Sequence, residues 1–521
     1  MRRLMSLPYK WLVAIAFVSG LFMDIMDSTV VNVALPTLGR QFHVGDTTLE
    51  WVVTGYLLSL AVWIPASGWV GDRFGTKRVF LFALAMFSLG SALCGLSWSI
   101  GSLIFFRVLQ GVGGGMMTPV GTAMLFRAFP PEERAAASAV LVVPTAVAPA
   151  VGPIFGGWLV DYASWHWIFF VNVPVGICGF IFALLVLREH KESTVGRFDI
   201  AGFLLAGAGL PLILYALSQG PGAGWGSAKV LGPGIGGIAL LAALVVVELR
   251  VREPMLALRL FSDRMFRTAN MSFFAVIAGM MGVVFLLPLF LQQLLGLSAF
   301  QSGLTTFPQA LGIVAIAQVA SRIYPRVGPR RMVVAGLFGS TIVIALFMLV
   351  GLHTSQWWIR GIMFMLGVSM GFAMIPVQAA TYATITPADT GRATALFSTN
   401  QRVAASIGVA VLATVLVDRT KSYVTAAMQH VTVAIQPGMG PAAIQAARTK
   451  AVQLAQAHAG LHGFHDAFLA AAALTLLGIA AAFLIHDEDA APSMRRMTAP
   501  AEPMVATAAA EASREPALVD D

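Results

Sequence analysis

Apolar residues occur along this chain in long continuous runs, and short polar segments separate one run from the next. Each run holds about 20 residues, which as a helix is long enough to cross the roughly 30 Å hydrocarbon core of a bilayer. The runs lack the period-two alternation of a membrane barrel, and a helix satisfies its own backbone in lipid. The pattern predicts fourteen spans, at about 11–36, 48–70, 79–97, 102–126, 136–160, 166–187, 199–218, 229–249, 269–291, 302–320, 332–351, 357–381, 393–417 and 463–485.

These spans predict an all-α polytopic membrane protein whose helices divide into six, two and six. A six-helix bundle covers 1–187, a two-helix insert with flanking cytoplasmic loops covers 188–267, and a second six-helix bundle covers 268–485. The second bundle includes one long external loop, 418–462, with an Ala/Gln-rich part that suits a helix outside the bilayer. The segment 486–521 is rich in Ala, Pro, Glu and Asp, which predicts a disordered cytoplasmic tail.

The composition agrees with a membrane protein and explains the charge. The 521 residues are 58% hydrophobic and 11% charged, whereas a soluble domain carries about 25% charged residues. Most of the 33 Lys and Arg residues behind the net charge of +8 lie in the termini and in alternate loops. This positive-inside pattern predicts a multi-pass protein of the inner (plasma) membrane with both termini cytoplasmic. The basic charge therefore reports topology and not a nucleic-acid partner.

Several kinds of chemistry find no support in the sequence. Cys94 and Cys178 both lie inside apolar runs, where buried small side chains are the expected interpretation and a disulfide or metal site is not. There is no Walker motif, which argues against ATP-driven transport. No His, Ser or Cys constellation suits a membrane-embedded enzyme. The sequence therefore implies no bound cofactor and no metal.

Two aspartates interrupt the first apolar run. Asp24 and Asp27 lie three residues apart, and Asp24, Ser28 and Asn32 follow at intervals of four, so a helix presents them as a narrow polar stripe. A carboxylate in hydrocarbon costs at least about 2.5–3.5 kcal/mol. That cost favours a functional role, in proton binding or in recognition of a cation. The alternative is a pair of structural acids that bond to neighbouring helices.

The fourth run contains a candidate partner, Arg107. A rise of 1.5 Å per residue puts Asp27 roughly 13 Å, Gln110 roughly 12 Å and Arg107 roughly 8 Å below the outer surface. An arginine at this depth needs a carboxylate, amide or carbonyl partner. We predict that Asp27 or Asp24 exchanges between a proton and attraction to Arg107 or to a substrate cation. The alternative is a fixed ion pair that braces the first and fourth spans.

An internal repeat relates the two six-helix groups. The glycine-rich basic loop 68–78 follows the second span, and a related segment, 325–331, follows the tenth span at an interval of 253 residues. Arg107 and Arg360 are separated by the same interval. Transporters use parallel repeats to build a central site between two rocking halves. The charged loop can lock one conformation and release in the other; as a bare string of charges it is an ordinary positive-inside loop.

Together these segments resemble the major facilitator superfamily, specifically the fourteen-span drug:proton antiporter branch typified by EmrB-type and QacA-type multidrug exporters. The segments that carry the resemblance are, in order, Asp27–Pro36, Gly68–Arg78, Arg107–Gly115, Ala148–Gly157 and Trp165–Gly176. The chain departs from the family pattern in four places: Asp24 is an added acid, Ala148 replaces a usual glycine, Pro325 stands where the first repeat has Asp72, and Gln401-Arg402 reverses a common Arg-Gln order.

The resemblance implies a proton-driven secondary exporter, not an enzyme, that expels amphipathic cationic or neutral small molecules by alternating access. It implies proton coupling at Asp27 and Arg107, and the added Asp24 is a candidate for a second proton-coupling site or for recognition of a cation. The implied conformational switch comprises Gly68, Gly71, Asp72, Arg73, Gly75, Lys77 and Arg78, and the implied antiporter motif comprises Gly152, Pro153, Gly156 and Gly157.

Substrate contacts are predicted from polar residues within the spans: Asp24, Asn32, Gln110, Gln309, Gln378, Asn400 and Arg402. The substrate class stays open, because a dedicated exporter of a natural metabolite, siderophore or antibiotic fits the same features. A membrane-embedded enzyme and a passive channel are the alternatives from other classes. The expected partners are the small-molecule substrate, protons and lipid, and a periplasmic adaptor with an outer-membrane channel would extend the route.

Overall fold

The computed structural model describes residues 7–44, 46–192, 196–429 and 441–494. Within these ranges the chain is helical and contains no β-strand. Fourteen of the described helices are long and apolar enough to cross a membrane. The predicted fold class and number of spans are therefore confirmed.

The helices are numbered here in chain order. They are α1 (Tyr9–Phe42), α2 (Asp46–Phe74), α3 (Thr76–Gly95), α4 (Ile100–Ala128), α5 (Arg134–Tyr162), α6 (Trp167–Phe170), α7 (Asn172–Val186), α8 (Ile200–Ala223), α9 (Ala228–Arg250), α10 (Arg264–Leu289), α11 (Ala299–Val327), α12 (Pro329–Ala345), α13 (Gln356–Thr381), α14 (Thr390–Gln429), α15 (Pro441–Ala482) and α16 (Ala491–Met494). The short α6 and α7 together form the sixth span.

Two of the helices begin with a reciprocal capping box. At the start of α4, Ser99 accepts from the amide of Ser102 while the Ser102 hydroxyl accepts from the amide of Ser99. Ser298 and Gln301 make the same exchange at the start of α11. Each box satisfies two amides that the helix itself leaves unpaired, so these helices begin where polar residues interrupt the apolar runs.

Two groups of helices meet along a shared interface. Helices α1 to α7 pack mainly on one another, as do α10 to α15, and the two groups touch chiefly through α5 against α11 and α2 against α14. The insert helix α8 packs on its partner α9 and also on α2 and α14, one from each half. Trp51 stacks on Tyr215, and Trp225 donates to the Thr414 hydroxyl at 3.0 Å. The insert therefore stands beside the interface between the halves.

The internal repeat shows in how α3 and α12 begin. Each follows a glycine with positive φ, +100° at Gly75 and +83° at Gly328, a conformation that favours glycine. In each half, the segment after the last long helix supplies a carboxylate. This carboxylate accepts a hydrogen bond from a backbone amide in the first turn of α3 or α12. Glu189 does so for α3 at 3.0 Å, and Asp487 does so for α12 at 2.9 Å. Negative charge at a helix N-terminus is stabilising, so the two halves share this architectural device.

In the second half, two of the predicted segment boundaries differ from those in the structure. Helix α14 continues to Gln429 and α15 begins at Pro441, so the described part of the predicted external loop 418–462 extends the two helices; residues 430–440 lie outside the described residues. Residues 486–494, predicted to belong to the tail, form turns and α16, and Asp489 pairs with Arg264 at 2.8 Å. Residues 495–521 lie outside the described residues.

Candidate functional site

The two aspartates of α1 face different surroundings. Residues three apart on a helix differ by about 60° in direction, which separates Asp27 from Asp24. Asp27 points toward α4 and α7, where it meets Arg107 and Asn172. Asp24 points toward α2 and a central cavity, where it meets Tyr56 and Arg402. Both side chains are buried, so one helix carries two separate acidic positions.

Asp27 is surrounded by donors. Its Oδ2 accepts from Arg107 Nη1 at 2.5 Å, and its Oδ1 accepts from Gln110 Nε2 at 3.1 Å and from Asn172 Nδ2 at 2.9 Å. The side chains of Asp27 and Arg107 are both 0% exposed. Every one of these contacts suits the ionised carboxylate, because each partner donates a hydrogen bond to it.

Arg107 is held on three sides. Its Nε donates to the carbonyl of Val52 at 3.1 Å, and its Nη1 also donates to Gln110 Oε1 at 2.8 Å. Its Nη2 is buried and has no hydrogen-bond partner among the described residues. The two N–H donors of Nη2 therefore stay available while the pair with Asp27 is intact. By contrast, Arg360 at the repeat-related position bonds Gln356 and lies over Trp357, so the repeat preserves position and not chemistry.

Tyr56 of α2 links the two acidic positions. Its hydroxyl donates a hydrogen bond to Asp24. Its ring lies 4.3 Å from the guanidinium carbon of Arg107, within the range of a cation–π contact. Tyr56 is fully buried, so a continuous set of contacts runs from Asp24 through Tyr56 and Arg107 to Asp27.

A cavity of about 400 Å³ lies between the halves. Asp24, Ser28 and Thr118 line it from the first half, and Gln378 and Arg402 are among the residues that line it from the second. The rest of the lining is largely apolar, with Ile277, Met280, Met281, Leu287 and Phe397. A volume of this size and a mostly apolar wall with a few polar groups are typical of small-molecule sites.

The halves touch at the end of the bundle that carries the loop 68–78, called here the loop-motif end. Asp72 accepts from Arg127 Nη2 at 2.9 Å, and Arg127 Nε donates to the carbonyl of Pro387 in the other half at 3.2 Å. The rings of Phe126 and Tyr382 stack with 4.1 Å between their centroids. A Cβ on Gly68 would lie 2.6 Å from the carbonyl oxygen of Gly391. These contacts hold the two halves together at the loop-motif end.

The small residues of α5 let it approach α1. A Cβ on Gly152 would overlap the hydroxyl of Thr29, and one on Gly156 would lie 2.8 Å from Val30 Cγ1. Gly157 has more room, with Val33 Cγ1 at 4.0 Å. The Pro153 side chain lies outside what the structure describes. Gly152 and Gly156 therefore set the spacing between α5 and the helix that carries both aspartates.

Comparison with known proteins shows the family to which this chain belongs. The family model described as Major Facilitator Superfamily matches residues 17–409. A multidrug resistance protein B homolog of Mycobacterium tuberculosis (strain ATCC 25618 / H37Rv) is 36% identical over 480 residues, which cover 88% of this chain and 87% of that protein. The chain belongs to the major facilitator superfamily.

Other members of the superfamily extend the comparison. The putative multidrug resistance protein MdtD of Escherichia coli O1:K1 / APEC is 38% identical over 344 residues, covering 65% of this chain and 71% of that protein. The crystal structure of the human organic anion transporter MFSD10 (TETRAN) covers 92% of this chain and 100% of its own, with a TM-score of 0.61 and 16% identity, and shows the shared fold. As a major facilitator protein the chain is a transporter rather than an enzyme, and it is a multi-pass protein of the inner membrane.

The predicted substrate contacts fall into two groups in this major facilitator fold. Asp24, Gln309, Gln378 and Arg402 line the cavity, whereas the other three do not. Asn32 is exposed and bonds the carbonyl of Ser28, Gln110 lies on Asp27, and Asn400 bonds Asn270 on α10. These three residues therefore lie away from this cavity, since intramembrane polarity does not show which way a side chain faces.

Predicted members of the loop motif also differ in their surroundings. Asp72 is buried in the contact between halves, and Gly71 is buried behind it. Lys77 donates to the carbonyl of Leu184 at 2.7 Å, and Arg78 lies 3.7 Å from Glu189. Arg73 is exposed. The motif thus serves two contacts, one across the halves and one within the first half.

Sequence reasoning missed several residues that complete the site. Tyr56 and Asn172 contact the aspartates directly, and Arg127 joins Asp72 to the opposite half. Asn172 lies within a segment that carries the family resemblance, and Arg127 lies at the end of the fourth span. Both Asn172 and Tyr56 are polar groups within or beside long apolar runs, and that position is the signal that identifies them.

Proposed function

We propose that this protein is a proton-driven exporter of amphipathic small molecules that works by alternating access. The observation that supports it best is the buried Asp27, hydrogen-bonded by Arg107, Gln110 and Asn172 and kept apart from the cavity. A carboxylate that binds a proton and a cavity that binds a ligand need to be separate but linked. The contacts through Tyr56 provide that link.

Proton coupling rests on exchange of partners at Asp27. In this conformation the ionised carboxylate is held by its three donors. A proton on Asp27 removes the charge that attracts Arg107, and the guanidinium, whose Nη2 is already unpaired among the described residues, then turns to other acceptors. Arg107 packs on Tyr56, and Tyr56 donates a hydrogen bond to Asp24. Movement of Arg107 therefore shifts the tyrosine that holds Asp24. Protonation of Asp27 thereby alters the position of Asp24 in the substrate cavity.

Alternating access rests on the loop-motif end. The positive-inside pattern predicts that this end is cytoplasmic, so the described conformation is closed toward the cytoplasm. Opening it requires Arg127 to release Pro387 and Tyr382 to leave Phe126. Gly68, Asp72 and their partners form the switch in this proposal, and Gly152 and Gly156 hold α5 against α1 as the halves rock.

The test is coupled transport in proteoliposomes. An imposed pH gradient is expected to drive efflux of an amphipathic fluorescent dye, and dye movement in turn is expected to move protons. Asp27→Asn should abolish the dependence of efflux on the pH gradient. The matched control is Asp418→Asn, which changes an exposed aspartate of α14. Unchanged pH-driven efflux in Asp27→Asn would contradict the proposed proton role.

We separately propose that a periplasmic adaptor and an outer-membrane channel are partners of this protein. It is supported by the length of α14 and α15, which continue beyond the predicted spans to Gln429 and from Pro441. Crosslinking in whole cells tests it. A crosslinked product at these helix ends supports an adaptor, and export across the inner membrane alone contradicts one.

A further inference from the structure

The cavity carries one charge of each sign. Asp24 and Arg402 are the charged residues of its described lining, and the other polar groups there are the neutral side chains of Ser, Thr and Gln. The charges come from opposite halves, Asp24 from α1 and Arg402 from α14. A cavity built to select cations would present unbalanced negative charge, whereas this cavity is balanced.

The two charges face each other without a close ion pair. Arg402 Nη2 lies 4.0 Å from Asp24 Oδ2, beyond hydrogen-bond distance. The arginine makes no hydrogen bond among the described residues, so its donors are free for another partner. Asp24 is 3% exposed and Arg402 is 38% exposed at the side chain. The acid is fixed by Tyr56 and Thr118, and the arginine is the more accessible partner.

A second feature adds a free acceptor. Gln378 lines the same cavity, is 8% exposed, and its Oε1 has no hydrogen-bond partner among the described residues. The planar guanidinium of Arg402 offers paired donors that match a carboxylate. Asp24 and Gln378 Oε1 offer acceptors. The cavity can therefore receive both an anionic and a cationic group of one molecule.

We propose that the preferred substrates are amphipathic zwitterions, with the anionic group bound by Arg402 and the cationic group bound by Asp24. This rests on the proposed export function and narrows its substrate class. A ligand with a single positive charge has to compete with Arg402 for Asp24, and a ligand with a single negative charge meets Asp24 beside Arg402. A zwitterion satisfies both residues at once. The apolar part of the ligand lies on Met280, Met281 and Phe397.

The experiment uses two dyes that differ in one group. Rhodamine B carries a delocalised cation and a carboxylate, and its ethyl ester carries the same cation with the carboxylate esterified. Fluorescence anisotropy with the purified full-length protein is expected to give at least fivefold tighter binding of rhodamine B than of the ester. Arg402→Gln should weaken the binding of rhodamine B about tenfold. It should strengthen the binding of the ester, because Asp24 loses its competing cation.

Further variants separate recognition from folding. Arg402→Lys keeps the charge without the planar pair of donors and should fall between wild type and Arg402→Gln. Asp24→Asn should weaken the binding of the ester more than the binding of rhodamine B, because Arg402 can still bind the carboxylate of rhodamine B. The control is Arg419→Gln on the same helix, where Arg419 pairs with Asp466 at 3.4 Å outside the cavity. If Arg402→Gln does not fold, the Arg402→Lys and Asp24→Asn shifts decide the outcome.

Equal binding of the two dyes in wild type, unchanged in Arg402→Gln, would overturn the zwitterion proposal. If either dye were still exported in a pH-dependent way, the export function would stand without it. Conversely, a clear preference for rhodamine B with no proton movement in liposomes would support the binding site and contradict proton-driven export.

Discussion

The ring of Tyr56 lies against the guanidinium of Arg107, with 4.3 Å between the ring centroid and Cζ. The same tyrosine donates its hydroxyl to Asp24. One buried side chain therefore contacts both the acid that lines the cavity and the arginine that holds Asp27. In the proposed mechanism this contact transmits partner exchange at Asp27 to the substrate site.

Tyr56→Phe separates the two contacts of this tyrosine. It keeps the ring on Arg107 and removes the hydrogen bond to Asp24, which as a bond to a charged group contributes about 1.5–3 kcal/mol. We expect dye-driven proton movement to fall about tenfold and the thermal stability to fall by the contribution of this one hydrogen bond. Tyr56→Leu also removes the cation–π contact and should lower the thermal stability further. Equal coupling in Tyr56→Phe and wild type would show that the hydroxyl does not take part.

Asp27→Asn should destabilise the protein as well as uncouple it. The change leaves Arg107 buried without its counter-charge, which costs about 3–5 kcal/mol. Asp27→Asn combined with Arg107→Gln removes both charges and should recover much of the thermal stability while coupling stays lost. Thermal melts in detergent and liposome transport measure the two effects.

The control for that pair is Lys10→Gln with Glu133→Gln, a partly exposed pair at 2.5 Å. Such pairs contribute about 0–1 kcal/mol, so stability and transport should both stay close to wild type. If the Asp27 and Arg107 double variant regained coupled transport, the pair would be a brace and not a coupling site.

Asp72→Asn should open the loop-motif end. It weakens the hold on Arg127, whose Nε bridges to Pro387 of the other half. The readout is an impermeant maleimide on Ala383→Cys, a buried site in this layer, with Cys178→Ser as background because Cys94 is buried. We expect labelling to rise at least fivefold. Arg250→Gln, which alters an exposed charge at the end of α9 outside the loop motif, should label as slowly as the parent, and equal rates in all three would contradict the switch.

The glycines of α5 provide a matched series against α1. Gly152→Ala introduces a Cβ into the space of the Thr29 hydroxyl, and Gly156→Ala places one 2.8 Å from Val30. Overpacking of this kind costs about 1–3 kcal/mol. Both variants should melt at lower temperature and transport more slowly, whereas Gly157→Ala, with 4.0 Å to Val33, should match wild type. A similar loss in all three would show that helix flexibility, not close approach, is the cause.

Much of the architecture is determined by the sequence alone. Fourteen apolar runs become fourteen spans, because a backbone in lipid has to satisfy its own hydrogen bonds within a helix. The sequence also predicts an acidic partner for Arg107 in the first span, and it leaves the choice between Asp27 and Asp24 open. Helical rise fixes the depth of each residue, and a charge at that depth requires a partner. The same reasoning puts Gln110 at the depth of Asp27, and Gln110 donates a hydrogen bond to Asp27.

The tertiary structure decided what depth and spacing leave open, namely the direction each side chain faces. Ser28 faces the cavity and Asn32 does not, although both lie on the stripe that begins at Asp24. Arg402 reaches Asp24 from the opposite half, and no local pattern relates two residues so far apart in the chain. Helix rotation and the packing of the halves determine these contacts, and both depend on all the helices together.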